Sequence, residues 1–227
     1  MSTHVALTGL ARDMQRRADS GKPIRIGLVG SGEMATQLTN IVALQLLIDA
    51  ISAVLMLIVI ISLFKDVSGA HFNPVITGYL LIKNKIKINE AILFILTQLL
   101  GAISGSVLAN LMFNLPIFGV SQTSRDGTGL FIGEIIATFG LVLIVGLGVK
   151  KPEHIIPAWI GSAYFFTSST SFANPAVTIG RIFTDSFAGI AANSVVLFIT
   201  AQIVGMSMAY LLIQKLSIEA ALQLFRL

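Results

Sequence analysis

The chain has 227 residues, of which 55% are hydrophobic and only 11% charged, with a mean hydropathy of +0.87. A soluble globule carries roughly 25% charged residues and could not hide this much apolar surface, and a disordered chain carries far more charge. Both classes are excluded for most of the chain, and the absence of cysteine removes disulfides, thiolate metal sites and cysteine nucleophiles.

Taken in order, residues 1–35 stand apart. They hold Arg12, Asp13, Arg16, Arg17, Asp19, Lys22, Arg25 and Glu33, eight of the 26 charged residues. Beyond Thr36 the charges sit in short gaps between apolar runs, so the net charge of +4 is not the concentrated basic patch that nucleic acid would require. The runs cover residues 41–64, 88–113, 130–149, 155–172 and 190–213. Each is close to or above the ~20 residues that a helix needs to cross a bilayer core. Unbroken apolar runs of this length predict helices rather than barrel strands, because only structures with every backbone group paired survive in lipid. Interior glycines such as Gly101, Gly105, Gly146 and Gly148 suit close helix packing there. The expected fold is an all-α, multi-pass membrane protein.

Two further segments are too short to span, and they resemble each other. His71-Phe72-Asn73-Pro74-Val75-Ile76-Thr77-Gly78 follows the first run, and Phe172-Ala173-Asn174-Pro175-Ala176-Val177-Thr178-Ile179-Gly180 follows the fourth. Both read Asn-Pro-x-x-Thr, with the asparagines 101 residues apart. Each precedes a long run containing a Gln-x-x-Gly step, Gln98 to Gly101 and Gln202 to Gly205. A repeat of this period signals an internally duplicated, transporter-like fold, and short segments at matching places point to the permeation site. Proline is tolerated at the first helical position, and asparagine one residue earlier is a good N-cap. Each Asn-Pro therefore starts a helix of about nine residues, roughly 13 Å long, half a bilayer core. Two such half-helices entering from opposite faces would meet N-terminus to N-terminus. Their positive ends and the two asparagine amides would favour neutral hydroxyl-bearing solutes and repel cations.

These motifs resemble the aquaporin, or major intrinsic protein, family, over about residues 30–216. The resemblance also rests on Ser68-Gly69-Ala70-His71 before the first half-helix, on Glu134-x-x-x-Thr138 and on both Gln-x-x-Gly steps. The stretch from Ala163 to Pro175 is most similar to a bacterial subgroup often linked with arsenic resistance. The resemblance implies an inverted repeat with two re-entrant half-helices, a pore in each protomer and a homotetramer in the inner (plasma) membrane. It puts Asn73, Pro74, Val75, Asn174, Pro175 and Ala176 at the pore centre. Glu134 becomes a buried acceptor for the second re-entrant loop, Gln98 and Gln202 become structural partners, and His71 either lines the cytoplasmic vestibule or makes a structural hydrogen bond. Asp49, inside the first run, has no counterpart in the family and is read as interfacial or functional.

The departures from the family pattern carry expectations of their own. The family usually places arginine directly after the second Asn-Pro-Ala, where this chain has Val177. The other constriction positions fall near Ala53, Ser162 and Ser171, so the filter is expected to be wide and less polar than one strict for water. Arg181, one turn further on, is expected at the exit side or the headgroups, and Trp159, Tyr164, Phe165 and Phe166 in packing or against lipid. A first helix with its own Glu-x-x-x-Thr is missing. In its place residues 23–29 and Gly30-x-Gly32-x-x-Ala35 resemble the first strand and phosphate turn of a dinucleotide-binding oxidoreductase, but the rest of that fold does not follow. The expected organisation is an atypical segment 1–35, a channel domain 36–216 with repeats 36–113 and 129–216, and a tail 217–227. Family topology puts Lys65, Lys83, Lys85, Lys87, Lys150, Lys151, Lys215 and Arg226 inside and only Arg125 and Arg181 outside, a clear orientation signal. The leading function is a passive channel for water and small uncharged solutes, glycerol-like or neutral metalloid species. No catalysis, cofactor, metal or nucleic-acid partner is expected. A non-conducting relic and a membrane-anchored nucleotide-binding fusion are the alternatives.

Overall fold

The computed structural model describes the backbone of residues 33–224 and the side chains of residues 42–218. The strand expected at 23–29, both turn glycines and most of the charged segment lie outside the described residues. The chain forms two compact units, residues 1–48 and 49–227, and the elements that follow belong to the second apart from the start of the first helix.

The described residues are helical, with no strand. The helices are α1 (Glu33–Ser68), α2 (Pro74–Ile82), α3 (Ile88–Met112), α4 (Thr128–Gly146), α5 (Pro152–Phe166), α6 (Pro175–Gly180) and α7 (Val195–Leu224). Val42–Ser68, Ile88–Met112, Thr128–Gly146 and Ala192–Ile218 are long and apolar enough to cross a membrane. Their outward faces carry exposed leucines, among them Leu63, Leu93, Leu100 and Leu211, a surface that only lipid or another membrane helix can cover. Helix α7 runs eight residues past the expected channel boundary at 216.

The fourth apolar run does not become one helix. α5 starts at Pro152, in the first turn where proline costs no hydrogen bond, and stops at Phe166. Residues 167–173 are instead spent on a re-entrant loop in which Thr170, Ser171 and Ala173 have φ of 60°, 50° and 46°, incompatible with a continuing helix. The same conformations occur 101 residues earlier, at Gly69, Ala70 and Phe72, with φ of 74°, 48° and 44°. Left-handed backbone costs a non-glycine residue of order 1–3 kcal/mol and persists only where its surroundings over-determine it. Its repetition at the same spacing shows that the duplication seen in the Asn-Pro motifs extends to the backbone.

Both half-helices begin as the sequence predicts. Asn73 and Asn174 are extended N-caps, φ −152° and −157°. The Asn73 side-chain oxygen accepts from Val75 N at 2.9 Å, and that of Asn174 accepts from Ala176 N at 2.9 Å and Val177 N at 3.3 Å. α2 spans nine residues, whereas α6 has six and tightens into a 3₁₀ turn, Arg181–Phe183. Gly180 lets α6 press on α3, because a Cβ there would lie 2.8 Å from the Ala102 carbonyl.

The core forms where α2 packs on α4 and α7, through Val75, Ile76, Tyr79, Leu141, Val142 and Ile213. The α4–α7 crossing needs Gly205, whose Cβ would stand 2.6 Å from the Ile135 carbonyl. Its counterpart on α3, Gly101, would meet nothing within 4 Å. In the apolar stretch of α3 only 6% is buried in the protein, against 33% for α7. Among the described residues, one flank of the first repeat is therefore open where the second is closed.

Candidate permeation site

The two re-entrant loops hold each other through the asparagines. Asn73 Nδ2 donates to the Ala173 carbonyl at 2.7 Å, and Asn174 Nδ2 donates to the Phe72 carbonyl at 2.8 Å. Each side-chain oxygen caps its own half-helix while each amide nitrogen crosses to the other. One N–H per amide remains beyond these bonds.

Behind each asparagine stands the same pair. Thr77 donates to the Asn73 carbonyl and accepts from Gln98 Nε2 at 3.0 Å; Thr178 donates to the Asn174 carbonyl and accepts from Gln202 Nε2 at 3.0 Å. The second copy is completed by Glu134, which is fully buried. Its carboxylate accepts from Phe172 N and Ala173 N, both at 2.8 Å, and from Gln202 Nε2 at 2.7 Å. These bonds fix the left-handed loop, and the donors oppose the cost of burying a carboxylate. Among the described residues no carboxylate does the same for His71 and Phe72, the matching positions of the first loop.

A cavity of about 630 Å³ runs past both asparagines. Its walls include Ile60, Ile76, Leu141, Val145 and Ile160, and the loop residues 69–73 and 171–174. His71 lies on it, 3.5 Å from the Thr77 hydroxyl and packed on the Phe94 ring at 4.9 Å. Of the four expected constriction residues, Ala53, Ser171 and Val177 line the cavity. The buried Ser171 hydroxyl has no protein partner.

Ser162 does not. It is exposed on the outer face of α5 and donates to the Ala158 carbonyl. The residues of α5 on the cavity are Pro152, Ile156, Ile160 and Tyr164, at spacings of four. Two positions along a helix turn the side chain by about 200°, so a count that lands on 162 instead of 160 or 164 points away from the pore. Tyr164, expected in packing or against lipid, is buried and also forms part of the cavity wall, while Phe165 and Phe166 are exposed. Trp159 packs on Gly140 and donates to the Ala137 carbonyl at 2.9 Å.

Both arginines that the family topology places on the outer side are drawn into the protein. Arg181 lines the cavity, donates to Tyr164 Oη at 3.2 Å and lies 4.2 Å over the Phe172 ring. Arg125 is 7% exposed. It donates to the Gly189 and Phe187 carbonyls at 2.7 and 2.9 Å, clipping the loop before α4 to the loop after α6. Burial pushes its pKa down to about 10, which leaves it charged at neutral pH. The next residue, Asp126, accepts from the hydroxyls of Ser124 and Ser194 at 2.6 and 2.7 Å, and these bonds hold its carboxyl below the usual range. Apart from the Ser124 bond, no local pattern announces these loop contacts, which join residues more than 60 positions apart.

The family profile described as Major intrinsic protein matches residues 22–170, reaching back into the charged amino-terminal segment. Aquaglyceroporin AqpS of Rhizobium meliloti is 37% identical over 182 residues, 78% of this chain and 78% of that protein. A probable aquaporin TIP-type of Medicago truncatula is 33% identical over 171 residues, 66% of each chain. Glycerol uptake facilitator protein-like 6 of Lactiplantibacillus plantarum is 34% identical over 97 residues, 40% of this chain and 44% of that protein. With a profile match over most of its length and two facing Asn-Pro half-helices, this chain belongs to the major intrinsic protein family of membrane channels for water and small solutes.

Proposed function

We propose that the chain passes glycerol-sized neutral solutes, neutral metalloid hydroxides included, as well as water. It would do so as a homotetramer in the inner membrane, with one pore per protomer. The observation that carries this reading is the cavity wall beside the asparagines, where Ala53, Ser171 and Val177 all have small side chains. A hydroxylated solute would exchange water for the free amide hydrogens of Asn73 and Asn174 and for the Ser171 hydroxyl. Its carbon or metalloid face would slide along Ile76, Leu141 and Ile160. The half-helix N-termini, each equivalent to about +0.5 charge, oppose cations at the same point. Passage needs no chemistry and no energy source.

A second reading, a chain that conducts poorly or not at all, draws on the open flank of α3 and the missing acceptor for the Asn73 loop. In this reading α3 awaits a helix equivalent to α4. Non-helical backbone at membrane depth is tolerated only where protein or water surrounds it, so the Asn73 half would be the weaker half.

Stopped-flow light scattering of proteoliposomes separates the two. Glycerol and water fluxes above those of empty vesicles support the channel; background flux for both supports the relic. Asn73→Asp and Asn174→Asp, which set a carboxylate against the half-helix ends, should each depress neutral-solute flux at equal incorporation. Unchanged flux in both removes the central assignment.

A further inference from the structure

The side chain of Arg181 is shared by two cavities. Besides the main one, it lines a second of about 580 Å³ with Asp49, Ser106, Asn110, Thr184 and Val177. Only Val177 and Arg181 belong to both, so these two residues form the boundary between the chambers. The guanidinium is held in place there. Tyr164, only 6% exposed, takes one of its hydrogen bonds, and the Phe172 ring that it covers is itself wedged against Phe198 at 5.1 Å. Of five N–H donors, one has a described protein acceptor. No carboxylate lies within ion-pair distance among the described residues; Asp49, the acid on these walls, stands on the second chamber.

We propose that Arg181 is the specificity-determining cation of this pore. It bars cations at the boundary between the two chambers and offers its free donors to neutral hydroxylated solutes passing from one to the other. A fixed, unpaired guanidinium on a wall of low dielectric repels a permeating cation. At about 5 Å and an effective dielectric near 20, that repulsion lowers cation passage by roughly a hundredfold. Val177 on the same boundary adds no donor, so width is set by valine and polarity by arginine. The proposal rests on the channel reading and assigns its selectivity to one residue.

The test uses the full-length protein in proteoliposomes, with glycerol and water flux by stopped flow and proton or potassium entry by an enclosed pH- or potassium-sensitive dye. Arg181→Ala should raise cation entry at least tenfold and leave glycerol flux equal or higher. Arg181→Gln, close in size and without charge, should leak similarly and keeps the measurement interpretable if the alanine variant folds poorly. Arg181→Lys should stay within about threefold of the unmodified protein for cations, because charge does the excluding. Tyr164→Phe frees the guanidinium and should give an intermediate leak. A conducting protein whose alanine and glutamine variants exclude cations as well as the parent does overturns the proposal alone. A parent that passes neither water nor glycerol removes the channel reading and this proposal with it.

Discussion

Gly101 and Gly205 occupy matching places in the two repeats, and alanine at each should have opposite consequences. At Gly205 the new Cβ would lie 2.6 Å from the Ile135 carbonyl, 3.0 Å from Phe139 N and 3.1 Å from Thr138 Cβ. Two of these neighbours are backbone, so no rotamer change relieves the contact and α4 and α7 must part by several tenths of an ångström. Overpacking of this kind costs about 1–3 kcal/mol. At Gly101 the Cβ enters open space, leaving only the gain of about 0.8–1 kcal/mol that alanine has over glycine within a helix. That gain is common to both sites and cancels in the comparison. The two variants should therefore differ by about 1–3 kcal/mol, or several degrees at roughly 2–4 °C per kcal/mol for a chain of this size. Thermal unfolding in mild detergent can be followed by Trp159, the sole tryptophan, which packs on α4 at Gly140. Gly205→Ala should melt lower than the parent and Gly101→Ala at the same temperature or higher. Equal losses in both variants would refute the reasoning, since they would mean that a helix closes the α3 flank just as α4 closes that of α7.

Glu134→Ala would strand the Phe172 and Ala173 N–H groups and one N–H of the Gln202 amide in a dry site. At about 1–3 kcal/mol per orphaned group, proteoliposome flux and thermal stability should fall together. A variant with parental flux would show that the loop holds its left-handed backbone without the carboxylate. Asp126 supplies a pH-dependent contribution: its folded pKa lies below the ordinary ~3.9, so its stabilisation is present above that value and fades as pH falls through the folded one. Being exposed, it is worth at most about 1 kcal/mol. Asp126→Ala should accordingly melt slightly below the parent at pH 7 and converge with it in acid, and a gap that widens in acid would contradict this sign.

The sequence alone determined what depends on local chemistry and on repetition. Asn-Pro is suited to begin a helix, apolar runs of about twenty residues are suited to cross lipid, and the 101-residue repeat makes two motifs into one site. Asn73, Asn174, Gln98 and Gln202 were legible for that reason, since each acts on a neighbour whose position the repeat already specifies, whereas Glu134, without a counterpart in the first repeat, was legible only through the family resemblance. Tertiary structure decided the rest. Whether Ser162 or Tyr164 faces the pore depends on helix phase, which an error of two residues reverses. Whether Val177 ends the polar lining depends on how α6 tightens into its 3₁₀ turn, which carries Arg181 to the cavity and onto the face of Phe172. Arg125 reads in the sequence only as a charge on the outer side, and its burial comes from carbonyls more than 60 positions away. A side chain several ångströms long takes its direction from the surfaces packed around it, and those surfaces come from parts of the chain that are remote in sequence.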